Sequence, residues 1–282
     1  QSAGRILLAE DSPVNREVAV GMLEQLGYLV EVAENGRQAL LATAESRFDL
    51  VLMDCQMPEM DGLAATAEIR RRDSGSERGR LPIVALTANA MQGDRERCLA
   101  AGMDDYLTKP YTQLQLRETV HKWLSNKAPL VSAPVLINQT TADSRDSTPG
   151  TYSVSESAAE AQTPAIDLNA LDAIRALQRP NRPNVLASVL RKYLDNSRDS
   201  VDALRDALRA NDPAGLQAIA HRLKSSSAQL GALGLAARCK DLELMGASKN
   251  LIDADRILAE LQSEYAAACT VFRNEIAKEK QA

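Results

Sequence analysis

The run Leu50-Val-Leu-Met-Asp54 constrains the fold of this chain more than any other stretch. Four consecutive apolar residues leave no polar face, so a strand here must be covered on both sides, as in a parallel sheet flanked by helices. The run ends in a carboxylate, and Cys-Gln-Met-Pro-Glu-Met-Asp-Gly62 then turns the chain. Asp54 thus lies at the carboxyl end of a buried strand, where open α/β sheets bind their ligands. Taken alone, Asp54 also fits a simpler reading as a turn-capping carboxylate.

The flanking segments supply the rest of such a sheet. Residues 5–9 form a short apolar strand that ends in Glu10-Asp11, after which Ser12 offers an N-cap and Pro13 suits the first helical position. That helix runs to Leu26 and stops at Gly27, a natural C-cap. Further strands are expected over 28–33, 82–86 and 105–108, the fourth ending at Thr87 and the fifth at Lys109-Pro110. Helices are expected over 36–46, 63–72, 94–101 and 113–125. Five strands alternating with five helices specify an α/β doubly wound five-stranded parallel sheet with right-handed crossovers.

Residues 127–164 change character to Ser, Thr, Ala, Pro and Gln and keep no helical or strand period, so they read as a flexible linker. A short apolar piece within it, 130–137, is a weak candidate for local docking. Beyond it, helical patterns are expected over 168–177, 184–196, 200–211, 213–230 and 233–245, with a long last helix from Ile252. Short connections and no strand signal make this an all-α helical bundle. The expected domains are therefore 1–126, the linker 127–164, and 165–282.

Composition narrows the function class. From Ala165 onward the chain carries 17 Lys+Arg against 15 Asp+Glu, or +2; with −5 for the whole, the preceding residues carry −7. Neither region has the basic patch of a nucleic-acid binder. No apolar run approaches the ~20 residues that span a bilayer, and the first residues are no signal peptide. A start without Met is what a piece of a longer protein would show. The four cysteines form no CxxC pair and are expected to be reduced, mostly buried thiols.

With strand order 2-1-3-4-5, the ends of strands one and three are neighbours, and Glu10, Asp11 and Asp54 meet at one edge of the crevice. Crowded carboxylates raise each other's pKa unless a cation relieves them. Mg²⁺ suits such a pocket, since it takes few carboxylates and leaves room for phosphate oxygens. Across the crevice, Lys109 offers an ammonium and Thr87 a hydroxyl to phosphoryl oxygens. Asp54 between metal and ammonium is then a candidate phosphoryl acceptor.

Leu8-Ala-Glu-Asp-Ser-Pro-Val-Asn15, Leu52-Met-Asp-Cys-Gln-Met-Pro-Glu-Met-Asp-Gly62, Ala85-Leu-Thr-Ala-Asn-Ala90 and Asp105-Tyr-Leu-Thr-Lys-Pro110 resemble the four signatures of the response-regulator receiver family, over roughly residues 5–125. The resemblance implies Asp54 as phospho-acceptor and Mg²⁺ held by Asp11, Asp54 and the backbone carbonyl of Gln56, with Glu10 acting through a water. It further implies Thr87 and Tyr106 as a switch pair and a cis Lys109-Pro110 bond. Gln56 and Asn89 would modulate dephosphorylation.

Among the helices beyond the linker, His221 stands out. At 100° per residue, Ile219, Leu223, Leu230 and Leu216 fall on the side of the helix opposite His221, while Gln217, Lys224, Ser225 and Ala228 lie beside it. His221 therefore reads as an accessible imidazole with small neighbours, and Lys224, one turn on, can offset phosphoryl charge. No second ligand at i+3 or i+4 supports a metal. His221-Arg-Leu-Lys-Ser-Ser-Ser-Ala-Gln-Leu-Gly-Ala232 resembles the histidine-phosphotransfer (HPt) family, over roughly 166–275. There His221 would be the phosphorylated residue, with Lys224 and Gln229 as polar support; Ser225 stands where that family often has Gly. His121 reads as an ordinary surface residue.

Together the two domains resemble the C-terminal receiver and HPt region of a bacterial hybrid sensor histidine kinase. The implied function is a two-component phosphorelay: Asp54 receives a phosphoryl group from the kinase core of the parent protein and exchanges it with His221, which serves a separate response-regulator receiver. The implied setting is cytoplasmic, as the tail of a membrane-bound kinase, with no nucleic-acid or membrane contact in this stretch. No ATP-binding domain is found, so the chain is not expected to be an autokinase by itself. Two other readings stay open: a phosphatase with an Asp nucleophile, which would want a second Asp where Gln56 stands, and a receiver-controlled interaction module without phosphotransfer. A 38-residue coil spans about 30–35 Å, so His221 can reach Asp54 of the same chain. Docking is expected to be transient, because His221 also serves an outside receiver, and salt-sensitive, because the acidic receiver and the Lys224 face carry opposite signs.

Overall fold

The computed structural model describes residues 4–73, 80–88, 92–125, 166–180 and 182–280. The linker, its apolar piece 130–137 and Asn89 lie outside them. Five strands, β1 (Arg5–Ala9), β2 (Leu29–Ala33), β3 (Leu50–Asp54), β4 (Ile83–Thr87) and β5 (Asp105–Thr108), pair in parallel in the order β2-β1-β3-β4-β5. Between them run α1 (Pro13–Gln25), α2 (Gly36–Glu45), α3 (Gly62–Asp73) and α4 (Gln92–Ala100), and α5 (Gln113–Ser125) follows β5.

The unbroken apolar runs find the two-sided burial they require. Alternate residues of the central strands enter two cores: Ile6, Leu8, Leu50 and Leu52 pack toward α1 and α5, while Leu7, Ala9, Val51 and Met53 pack toward Ala39 of α2 and Ile69 of α3. Register then sets the chemistry. Ala9 pairs with Met53, so Glu10 and Asp54 emerge side by side. Asp54 pairs with Leu86 and Thr87 with Thr108, which brings Thr87 and Lys109 to the same edge. The Lys109-Pro110 bond is cis, as the family resemblance implies.

The second domain contains α6 (Leu168–Arg175), α7 (Val185–Arg209), α8 (Pro213–Gln229), α9 (Leu233–Ser248) and α10 (Ala254–Glu279), with the last four packed as a bundle. One expectation is corrected here. The polar stretch 196–200 does not divide two helices, because α7 runs unbroken through it. Its polar side chains bond back to the helix or across the core. Asn196 and Ser200 donate to the carbonyls of Lys192 and Asn196, and buried Ser197 meets the Tyr265 hydroxyl at 3.1 Å. Without Gly or Pro, such a stretch does not end a helix whose other face is packed. Gly231 closes α8 with φ +75°, and a Cβ there would collide with the Asp167 carbonyl.

The bundle lies against the first domain. Helix α1 packs on α7 and α8, and one continuous buried cluster joins Ile6 to Phe272. On α1, Gly21 admits the Leu177 side chain, and its carbonyl accepts from Arg179 at 3.1 Å. Glu17 accepts from Ser188 at 2.9 Å and pairs with Lys192 at 2.7 Å, and Glu24 pairs with Arg182 at 3.4 Å. The acidic first domain and the slightly basic second domain thus meet with complementary signs.

Candidate functional site

Glu10, Asp11 and Asp54 leave adjacent strand ends, and their carboxylate oxygens lie within 4.8 Å of one another. Burial, together with Asp54 and Asp11 close by, outweighs the Lys109 ammonium and pushes Glu10 up to about 7. Burial and Asp54 also raise Asp11, against Lys109, Arg222 and His221. Protons held against their ordinary tendency are what a crowded, part-buried carboxylate set shows without a cation. These hard oxygens therefore fit a divalent metal such as Mg²⁺.

Lys109 binds both halves of the set, donating to Glu10 at 2.5 Å and to Asp54 Oδ2 at 2.7 Å. Burial opposes its charge, but Asp54 and Glu10 outweigh burial and hold its pKa above the usual lysine value. The other Asp54 oxygen accepts the backbone N–H of Gln56 at 3.2 Å, while the Gln56 side chain faces solvent. Gly62 starts α3 where a Cβ would collide with the Asp54 carbonyl, so the turn after Asp54 closes tightly. Thr87 is buried on the same cleft as Asp54, whereas Tyr106 is 38% exposed, with the Arg95 guanidinium 5.9 Å above its ring.

Helix α8 carries the other half, and one expectation is corrected there. His221 is not an open imidazole but buried, as is Lys224, each 8% exposed. The helical count correctly turns them away from the leucines of α8, but α9 and the first domain cover that side. Glu243 of α9 takes both: His221 Nδ1 lies 2.6 Å from one carboxylate oxygen, and the Lys224 ammonium donates to the other. Burial works to raise the Glu243 carboxyl, but these two hydrogen bonds and charges prevail and lower it. With Nδ1 engaged, Nε2 is the ring nitrogen left without a hydrogen bond among the described residues. Glu243 escaped the sequence reading, yet it leaves a signal: Ala236, Cys239, Glu243 and Gly246 share one buried helical face, a carboxylate within a small-residue stripe. Gln229 is half-buried at the end of α8, and His121 is exposed on α5.

The two halves meet. One cleft is lined by Asp54, Gln56, Thr87 and Ala88 of the first domain and by His221 of the second. Beside it, Asp11 and Ser12 line a second cleft with Arg222 and Ser226. Cys55 and Cys98, distant in sequence, also border the first cleft with their sulfurs 3.4 Å apart. Cys98, Cys239 and Cys269 are buried and Cys55 is half-buried.

Comparison with known proteins agrees with this division. The response regulator receiver domain family matches residues 6–121, and the Hpt domain family matches residues 188–270. The chain is similar to the sensor histidine kinase GacS of Pseudomonas protegens, with 34% identity over 248 residues that cover 86% of this chain and 24% of that protein. To the sensor protein GacS of Pseudomonas syringae pv. syringae it shows 46% identity over 131 residues, 45% of this chain and 14% of that protein. It thus spans a quarter or less of the length of these curated relatives. Among solved structures, the receiver domain of the sensor histidine kinase PA1611 of Pseudomonas aeruginosa PAO1, described with a magnesium ion in its active site cleft, is 48% identical. That likeness covers 44% of this chain and 99% of the other, at a TM-score of 0.41. No helix among the described residues is long and apolar enough to cross a membrane.

Proposed function

We propose, for a chain that is a response-regulator receiver domain joined to an Hpt domain, that the two domains are successive stations of one phosphorelay, with Asp54 and His221 exchanging the phosphoryl group. The observation that carries this reading is the single cleft lined by both residues. In the first station the Asp54 carboxylate attacks a donor phosphorus and becomes an acyl phosphate. Lys109 and Thr87 hold the phosphoryl oxygens, and Tyr106 is the exposed partner of Thr87 in the switch. Glu10, Asp11, Asp54 and the Gln56 carbonyl would hold Mg²⁺, which supplies positive charge to the phosphoryl oxygens when bound.

In the second station the Nε2 lone pair of His221 attacks the phosphorus while the Asp54 oxygen–phosphorus bond breaks. The carboxylate leaves with the electron pair, and the ring gains positive charge as the N–P bond forms. Glu243 accepts the Nδ1 proton in a hydrogen bond, fixing the tautomer and stabilising that charge. Lys224, held by the same carboxylate, lies one turn away to meet phosphoryl oxygens. Reversal follows the same path, so the receiver's groups assist both directions. The phosphodonor to Asp54 is the kinase core of a longer cytoplasmic or membrane-tethered parent, and His221 then serves a separate response regulator.

Labelling the full chain with a small acyl-phosphate donor tests the sequence of events. Label is expected on Asp54 first and on His221 later. Asp54→Asn removes both, and His221→Gln keeps only the first. Label on His221 that survives Asp54→Asn would overturn the order.

A further inference from the structure

A side-chain hydrogen bond joins Asn15 of α1 to Ser225 of α8, one helical turn from His221. Asn15 Nδ2 donates to Ser225 Oγ at 2.9 Å and to Glu10 Oε1 at 3.2 Å. Glu10 holds Lys109, and Lys109 holds Asp54. A hydrogen-bonded chain therefore runs from the phospho-acceptor to α8, reaching it one helical turn beyond His221, on the same face.

A second observation says that this amide is used for its two protons. Asn15 is 5% exposed, and among the described residues its Oδ1 is buried without a hydrogen-bond partner. A buried acceptor left unpaired is unfavourable. The opposite orientation would turn Oδ1 toward the Glu10 carboxylate and lose that bond. The site keeps the arrangement that ties Glu10 and Ser225 together.

We infer that the Asn15–Ser225 hydrogen bond is the pin that sets the register of α8 on the receiver, and that Ser225 is a positioning residue for transfer between Asp54 and His221. This rests on the phosphorelay reading above. The hydroxyl touches neither phosphorus nor imidazole. It fixes where along α1 the helix stops, and transfer requires the attacking nitrogen in line with the breaking bond. A glycine at 225 would remove this bond and leave the place of α8 to the apolar contacts and the ion pairs farther along α1.

The test follows the transfer of label from Asp54 to His221 in full-length chains after a short exposure to an acyl-phosphate donor. Ser225→Ala and Asn15→Ala should each slow the transfer by about threefold to tenfold, the range of one net hydrogen bond. The double variant should be no slower than the slower single, because the bond is already gone. Ser225→Thr, which keeps the hydroxyl, should recover most of the rate. Transfer in Ser225→Ala at the wild-type rate, or losses that multiply in the double variant, would overturn the pin while leaving the relay intact. Absence of label on wild-type His221 would overturn both.

Discussion

At the scale of single residues, Glu243 holds the bundle's half of the site. A buried carboxylate bonded to both an imidazole and an ammonium keeps its charge to lower pH than the same group in the unfolded chain. Its contribution to stability is therefore fully present above about 4.5, its ordinary value, and is lost as pH falls through the lower folded value. Glu243→Gln should cost about 1.5–3 kcal/mol at neutral pH, the range for hydrogen bonds to charged groups. It should also flatten the acid limb of the stability curve, as denaturant midpoints at several pH values would read. An acid limb as steep as the wild type's would show that Glu243 does not titrate in this way. On the receiver side, Asp54→Asn should prevent labelling by a small phosphodonor, and chelation of divalent cations should do the same to the wild type. Label on His221 should be lost in acid and kept in alkali, whereas the Asp54 acyl phosphate should be lost in alkali. The positions of Asp54, its carboxylate neighbours and Lys109 at strand ends, and of His221 opposite an apolar stripe, are legible in the sequence. Glu243 was not singled out, because its partners come from another helix.

At the scale of elements, the strand order and the register follow from runs that admit only two-sided burial, and the sequence reading places all five strands. It divides α7 in two because Asn, Ser and Asp favour turns and caps in isolation. In the folded chain those side chains are occupied by the helix carbonyls and by Tyr265, so the helix continues. Ser197→Ala should therefore lower stability by about 0.5–1.5 kcal/mol with no loss of helical content by circular dichroism. The sequence leads to an expectation of charge attraction between the acidic receiver and the Lys224 face of the bundle, and does not foresee the contact of α1 with α7. The structure resolves it into Glu17 against Lys192 and Ser188. Lys192→Glu places a second carboxylate beside Glu17. It should slow transfer from Asp54 to His221 about twofold to fivefold at low salt and less at high salt. Glu17→Lys in the same chain should restore the rate. A slowing that is independent of salt and not restored would mean that the pair has no role in docking.

At the scale of the whole molecule, docking places Asp54 and His221 on one cleft. Helical periodicity cannot foresee this, since it describes each helix against its own core and not against a second domain. It is also why His221 reads as exposed in the sequence and is buried in the fold. Covalent joining of the two sites in one chain gives an effective concentration on the order of mM, far above any working dilution of the protein. Transfer within one chain should then proceed at a rate that does not change with concentration. A mixture of Asp54→Asn chains and His221→Gln chains lacks that advantage and must transfer between molecules. The most direct measurement is the rate at which label moves from Asp54 to His221 over a wide dilution series, in wild type and in that mixture. A constant wild-type rate beside a mixture rate that rises with concentration is the expected result. A wild-type rate that falls with dilution in step with the mixture would contradict transfer across the docked cleft.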